Sequence, residues 1–244
     1  MLMNNQLIGF AVGGTAPPEP HPANTKLLVH SDTTDGSTTF TDTSAGAHAL
    51  TANGNAQHDT AQAYFGGSSM LFDGTGDYVS AADHADFEIG SGDFTIACWV
   101  RFNSFTNSPM IMGKWTATGN QRSWYFQVNS SADPATSITF RISTDGSTSA
   151  AVTETTSLNT GTWYHLAVTR TGGKIYLFVD GTLLGTGTAN TDTVYDGTAI
   201  LEVGSINAGT ANNLDGWVDE LIFVNGTGLW SASFTPPTTV YEDA

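Results

Sequence analysis

The feature that most constrains this chain is a two-residue period that keeps returning and never gives way to a helical one. Across residues 93–102, Phe94, Ile96, Cys98 and Val100 fall on one side, and Ala97, Trp99 and Arg101 on the other. Successive strand residues point to opposite faces of a sheet, so this run reads as a strand with one face in a core. Shorter runs repeat the pattern at residues 27–30, 70–72, 78–80, 109–115, 124–129, 137–142, 163–170, 174–179, 201–204 and 217–224. Turn chemistry stands between them: Asp73-Gly74-Thr75-Gly76-Asp77, Thr171-Gly172-Gly173 and Asp180-Gly181, where glycine supplies the positive φ that tight hairpins demand. No stretch sustains a 3.6-residue period over three turns. More than ten short, punctuated strands predict an all-β, two-sheet antiparallel sandwich.

Composition narrows the function classes. Thirteen Phe, seven Tyr and six Trp are enough for a real core, which argues against wholesale disorder. Seven Lys+Arg against 23 Asp+Glu leave a net charge of −16, which would repel phosphate backbones and anionic lipid surfaces. Neither nucleic acid nor a membrane is therefore expected as a partner. The single cysteine, Cys98, lies inside an apolar strand pattern and reads as a small buried hydrophobe. No run approaches the ~18 apolar residues of a membrane span. The first residues lack a positively charged segment ahead of an uninterrupted apolar one, which predicts no secretion signal.

Residues 1–23 differ from the rest. Leu7, Ile8, Phe10 and Val12 precede Gly13-Gly14 and then Pro17, Pro18, Pro20 and Pro22. Proline removes a backbone donor and favours extended chain, so this segment reads as an apolar arm on a stiff linker, or else as a disordered tail. A single domain then occupies residues 24–244. The Ser/Thr-rich stretches 33–43 and 144–156 read as polar edge strands that discourage edge-to-edge association.

Several motifs, taken in order, resemble the laminin-G-like, concanavalin A-like jelly-roll family. They are Leu27-Leu28-Val29-His30-Ser31-Asp32, the stretch from Phe65-Gly66-Gly67 to Asp73-Gly74, and Asp93-Phe94-Thr95-Ile96-Ala97-Cys98-Trp99. Further on come Trp163-Tyr164-His165-Leu166-Ala167-Val168 with Phe178-Val179-Asp180-Gly181, and Asp215-Gly216-Trp217-Val218-Asp219-Glu220-Leu221. The resemblance implies two curved antiparallel sheets in which the first and last strands pair. The C-terminal phrase Gly228-Leu229-Trp230-Ser231-Ala232-Ser233-Phe234 resembles family members encoded by tailed bacteriophages.

The fold hosts lectins, adhesion modules and glycan-active enzymes, so function must come from a site. A retaining glycosidase needs two carboxylates about 5 to 5.5 Å apart. No strand here carries acidic residues at alternating positions. Asp219 and Glu220 are adjacent, so a regular strand sends them to opposite faces, and Glu202 stands alone. These observations predict a chain that is not an enzyme. The resemblance implies one structural calcium ion, with Asp32, Asp219 and the 66–69 loop through Ser69 as its site. Alternatively, Asp32 caps a turn and Asp219 bonds backbone amides. A polysaccharide would find an aromatic and polar side chains at Trp115, Asn120, Gln121 and Arg122, unless that tryptophan belongs to the core. Three functions follow. The first is a non-catalytic virion accessory protein, made without a signal in the host cytoplasm, on the capsid or tail. Its arm (Leu7, Ile8, Phe10, Val12) would hold other virion proteins or copies of itself. The second is a free carbohydrate-binding or adhesion module, and the third a glycan-active enzyme.

Overall fold

In the computed structural model, which describes residues 22–243, two antiparallel sheets lie face to face. The larger runs β13 (Thr182–Ala189), β12 (Lys174–Val179), β11 (Trp163–Thr171), β6 (Phe94–Ser104), β15 (Asp215–Asn225), β4 (Ser69–Asp73) and β3 (Gln57–Asp59). β1 (Thr25–Val29) also pairs with β15, matching Leu27 to Phe223 and Val29 to Leu221. First and last strands are thus paired, as expected. The second sheet runs β10 (Ala150–Leu158), β9 (Ala135–Ile142), β8 (Gln121–Val128), β7 (Met110–Thr116), β14 (Leu201–Val203), β5 (Tyr78–Ala81) and β2 (Leu50–Asn53).

The core follows the alternation seen in the sequence. Phe94, Ile96, Cys98, Val100 and Phe102 of β6 all point inward and are fully buried. Opposite them lie Trp124 and Phe126 of β8 and Phe140 of β9. Trp124 stacks on Phe223 at 5.3 Å and donates its indole N–H to the Phe87 carbonyl at 3.0 Å. Burying such a side chain fully is worth about 1.5–3 kcal/mol, so this interdigitated layer is the main source of stability. Burial also pushes the Cys98 thiol far above its ordinary range, as an inert core residue requires. Gly172 (φ 58°) and Gly173 (φ 72°) make the two-residue turn between β11 and β12. Arg170, 1% exposed, fixes the chain leading into β6 by donating to the carbonyls of Ile89, Gly90 and Gly92.

Three sequence expectations are corrected. Residues 33–43 form no strand. Asp35 and Gly36 (φ 73°) turn the chain, and beyond them only an isolated bridge, Thr41 with Ala49, is made. The 144–156 stretch divides: β10 is an edge strand, whereas residues 144–149 are turn and loop, with Asp145 accepting the Ser147 and Thr148 N–H groups. Nor do Asp219 and Glu220 alternate. Asp219 faces Trp99 and Ile222 faces Ala97, so three steps of β15 match two of β6. Glu220, at φ 47°, takes up the extra residue of this bulge. Asp219 follows the outward side of Trp99, and Glu220 turns to His30 and Tyr241 on that same side.

Candidate functional site

The outward face of the larger sheet carries a row of side chains set by strand pairing. Trp163 of β11 lies beside Arg101 of β6, Arg101 beside Trp217 of β15, and Trp217 beside Leu71 of β4. Each occupies an outward position because its neighbour, Tyr164, Val100 or Val218, points into the core. All four are only partly buried. The Arg101 guanidinium lies over the Trp217 ring, 5.0 Å from its centroid, and Nε donates to the Gly161 carbonyl at 3.1 Å. Its Nη groups make no hydrogen bond among the described residues. Trp217 is oriented by its indole N–H, which donates to Asp59 Oδ2 at 2.7 Å.

A loop completes this surface. Tyr64 stacks on Trp99 (3.6 Å, 13° between planes) and meets Trp163 edge-on at 5.9 Å. At 38% exposed it is the one large hydrophobic side chain that stands open among the described residues. Asp219 holds the loop in place. Its Oδ2 accepts the Tyr64 and Phe65 N–H groups at 2.8 and 3.0 Å, and its Oδ1 accepts that of Glu220 at 2.9 Å. The side chain is completely buried, and that burial raises its pKa to about 7 despite the amide bonds. His165, the next outward residue on β11, is 2% exposed beside Trp99, and burial lowers its pKa to about 3. The outcome is an aromatic platform beside a guanidinium whose Nη groups have no hydrogen-bond partner among the described residues.

A family model for the concanavalin A-like lectin/glucanases superfamily matches residues 73–228. The chain belongs to that superfamily. No curated protein sequence matches it. Solved structures similar to it include the botulinum neurotoxin serotype G binding domain, at 14% identity and a TM-score of 0.63. Another is the binding domain of Paraclostridial Mosquitocidal Protein 1, at 11% and 0.61. A third is the binding domain of botulinum neurotoxin DC in complex with SialylT, at 13% and 0.59. The first two matches cover 85% of this chain and the third 86%, while the chain spans about half of each neighbour. At such identities these neighbours show the superfamily fold.

The residues that the superfamily resemblance singled out for calcium all hold the 62–69 loop. Asp219 binds it as described, Asp32 Oδ1 accepts the Gly67 N–H at 2.7 Å, and Ser69 Oγ donates to the Gln62 carbonyl at 2.7 Å. Calcium takes six to eight oxygens, and here Asp32 Oδ2 alone among the four carboxylate oxygens makes no hydrogen bond. The Asp73–Asp77 segment is a plain turn, with Asp77 Oδ2 accepting the Asp73 N–H.

The residues singled out for a glycan sit at one end of the second sheet. Trp115 is 7% exposed and packs edge-on against Tyr125, so its ring faces are not presented. Asn120 is exposed, Gln121 Oε1 accepts from Thr198, and Arg122 Nη1 donates to the Ser147 carbonyl at 2.6 Å. Sequence reasoning missed Tyr64, Trp163 and Trp217. The alternation that placed Trp99 and Arg101 together gives Trp163 and Trp217 as well, once Tyr164 and Val218 are read as inward. Tyr64, on a loop, has no such signal.

A cavity of about 590 Å³ opens beside the paired terminal strands, lined by His30, Asp32, His58, Tyr241 and Asp243 among others. His30 lies between Glu220 at 2.6 Å and Asp243 at 3.1 Å. Burial opposes its cation, but the bond and charge of Glu220, with Asp243, prevail and raise its pKa above 6.5. Leu7, Ile8, Phe10 and Val12 lie outside the described residues. No described helix is long and apolar enough to cross a membrane.

Proposed function

We propose that this chain is a non-catalytic glycan-binding module whose ligand lies on the outward face of the larger sheet. The observation that carries this reading is the row Trp163–Arg101–Trp217 with Tyr64 standing open beside it. Sugar rings present C–H faces that pack on flat aromatics, and hydroxyls that need oriented donors and acceptors. Arg101 has free N–H groups, and Asp59 already receives the Trp217 indole within the same row. The solved complex of neurotoxin DC with SialylT supports the choice of ligand class by analogy of fold.

The carboxylates support binding over cleavage. The bulge brings Asp219 and Glu220 to one face, but Asp219 serves three backbone amides and Glu220 serves His30 and the Tyr241 N–H. Neither is free to act as acid or nucleophile. The proposed setting is a virion surface, reached through residues 1–23 as the sequence suggests.

A glycan array, followed by calorimetry on its hits, tests the reading. Sialylated oligosaccharides and neutral polysaccharides should include a ligand that is bound without release of reducing sugar. Trp163→Ala and Tyr64→Ala should each weaken it by roughly tenfold or more, the size of a lost aromatic contact. Absence of any ligand, or affinity unchanged in both variants, refutes the proposal.

A further inference from the structure

The geometry points to a zinc site formed by His48, His84 and Asp86, built from residues that take no part in the aromatic platform. His48 lies in the chain before β2, where Asp42 Oδ2 accepts its backbone N–H at 2.8 Å. Its ring packs on the fully buried Phe87 at 4.6 Å, and its side chain is only 9% exposed. Yet the buried Nε2 makes no hydrogen bond. It points to Asp86 Oδ2, 3.3 Å away. Asp86 belongs to the short 3-10 turn Ala85–Phe87, and its other oxygen lies 3.1 Å from Lys26 Nζ. Oδ2 is therefore the oxygen that faces the histidines.

His84 supplies the third donor. Its Nδ1 accepts the Asp86 N–H at 3.1 Å, so it carries a lone pair, and it too lies 3.3 Å from Asp86 Oδ2. An orphaned, buried imidazole nitrogen beside a carboxylate oxygen is an arrangement that a cation relieves, and at His84 the metal takes the lone pair that now accepts the Asp86 N–H. One ligand atom from each of the three residues lies within 4.8 Å of the other two. Zinc with ligands at about 2.0–2.1 Å in tetrahedral geometry spaces its donors at roughly 3.3–3.4 Å. Two of the three separations already have that value. The third closes by a small movement of His84, whose side chain is 53% exposed. Gly46 keeps the approach open, since a Cβ there would come within 2.7 Å of His48 Nε2. Two imidazoles and one carboxylate suit zinc, whereas calcium and magnesium prefer oxygen shells. Water completes the fourth position, and the ion ties the chain before β2 to the turn that precedes β6.

The alternative is that a protonated His48 merely pairs with Asp86. Calorimetric titration of the chelator-treated full chain with Zn²⁺, thermal melting, and Co²⁺ absorption separate the two. His84→Asn is the informative variant, because asparagine keeps a capping side chain while removing the imidazole. The zinc site predicts one Zn²⁺ per chain, a raised Tm, tetrahedral-type Co²⁺ bands, and binding at least about tenfold weaker in His84→Asn. No stoichiometric binding, or equal binding in His84→Asn, overturns it; the latter would assign the metal to other histidines. His48→Ala is less useful, since losing its packing on Phe87 perturbs the fold directly.

Discussion

Asp219 sits where two large effects oppose each other, which makes Asp219→Asn the sharpest test of the site's electrostatics. Three amide hydrogen bonds favour the carboxylate anion, and a carboxylate so bonded in a wetter place has a very low pKa. Complete burial opposes them and prevails, leaving the pKa at about 7 against an ordinary 3.8. A folded-state pKa above the unfolded one means that the native state holds an extra proton between those values. The group's contribution is then fully present below pH ~4 and is lost as pH rises through about 7. About three pH units at ~1.4 kcal/mol each make this roughly 4 kcal/mol. Asparagine keeps one oxygen for the Tyr64 and Phe65 amides but turns an NH₂ toward that of Glu220, costing about 1–3 kcal/mol at every pH. The variant should therefore be less stable than the native chain near pH 4.5 and should draw level or overtake it by pH 8. Urea unfolding of both proteins across that range gives the difference directly, and the other titrating groups largely cancel. A difference that stays flat with pH, or that increasingly favours the native chain as pH rises, would show that the amides outweigh burial and that the reasoning is wrong.

His165 has the opposite sign. Held neutral by burial with a pKa of about 3, it contributes stability that is present above pH ~6.5 and lost as pH falls, up to about 5 kcal/mol, so His165→Gln should flatten acid unfolding followed by tryptophan fluorescence. Calcium at Asp32, Asp219 and Ser69, if it binds, must draw Asp219 away from the Tyr64 and Phe65 amides. It should then both raise the Tm and alter Trp99 fluorescence, and identical melts in calcium and in chelator reject the site. Deleting residues 1–20 should leave the sandwich folded, because β1 begins at Thr25, while abolishing attachment in a particle-binding assay; unchanged occupancy would move the contact to the sandwich surface.

Most of the sandwich was legible because burial on one face imposes the two-residue period. The run from Phe94 to Phe102 shows this: Phe94, Ile96, Cys98, Val100 and Phe102 all enter the core between the sheets, although Thr95, Ala97 and Trp99 on the other face are buried too. The period fails where backbone geometry departs from it. The bulge at Glu220 has no hydrophobic signature, and it reverses the face on which an acidic side chain falls. Threonine-rich chain at 33–43 has the composition of an edge strand, but Asp35-Gly36 turns it before a ladder can form. Sites built by loops are harder still. Nothing near Tyr64 in sequence announces Trp99, and nothing near His48 announces Asp86, because both meetings depend on how the sheets fold.

The distribution of tryptophan gives the strongest reason to look for a ligand on the larger sheet. A sandwich needs its aromatics between the layers, and Trp124 is there. Trp99, Trp163 and Trp217 instead lie on the outward face of the larger sheet, away from the other sheet. The described residues cover that face only in part. Tyr64 lies on Trp99, and the C-terminal segment lays Trp230, stacked on Phe234 at 3.8 Å, over Phe178 and His165. Those covers explain the burial of Trp99 and His165. They leave Trp163 and Trp217 partly exposed on either side of Arg101, a cation in a chain that has only seven Lys+Arg. Folding alone gives no reason to keep two large aromatics and one of those few cations on a wet surface, whereas a ligand with apolar faces and polar edges does.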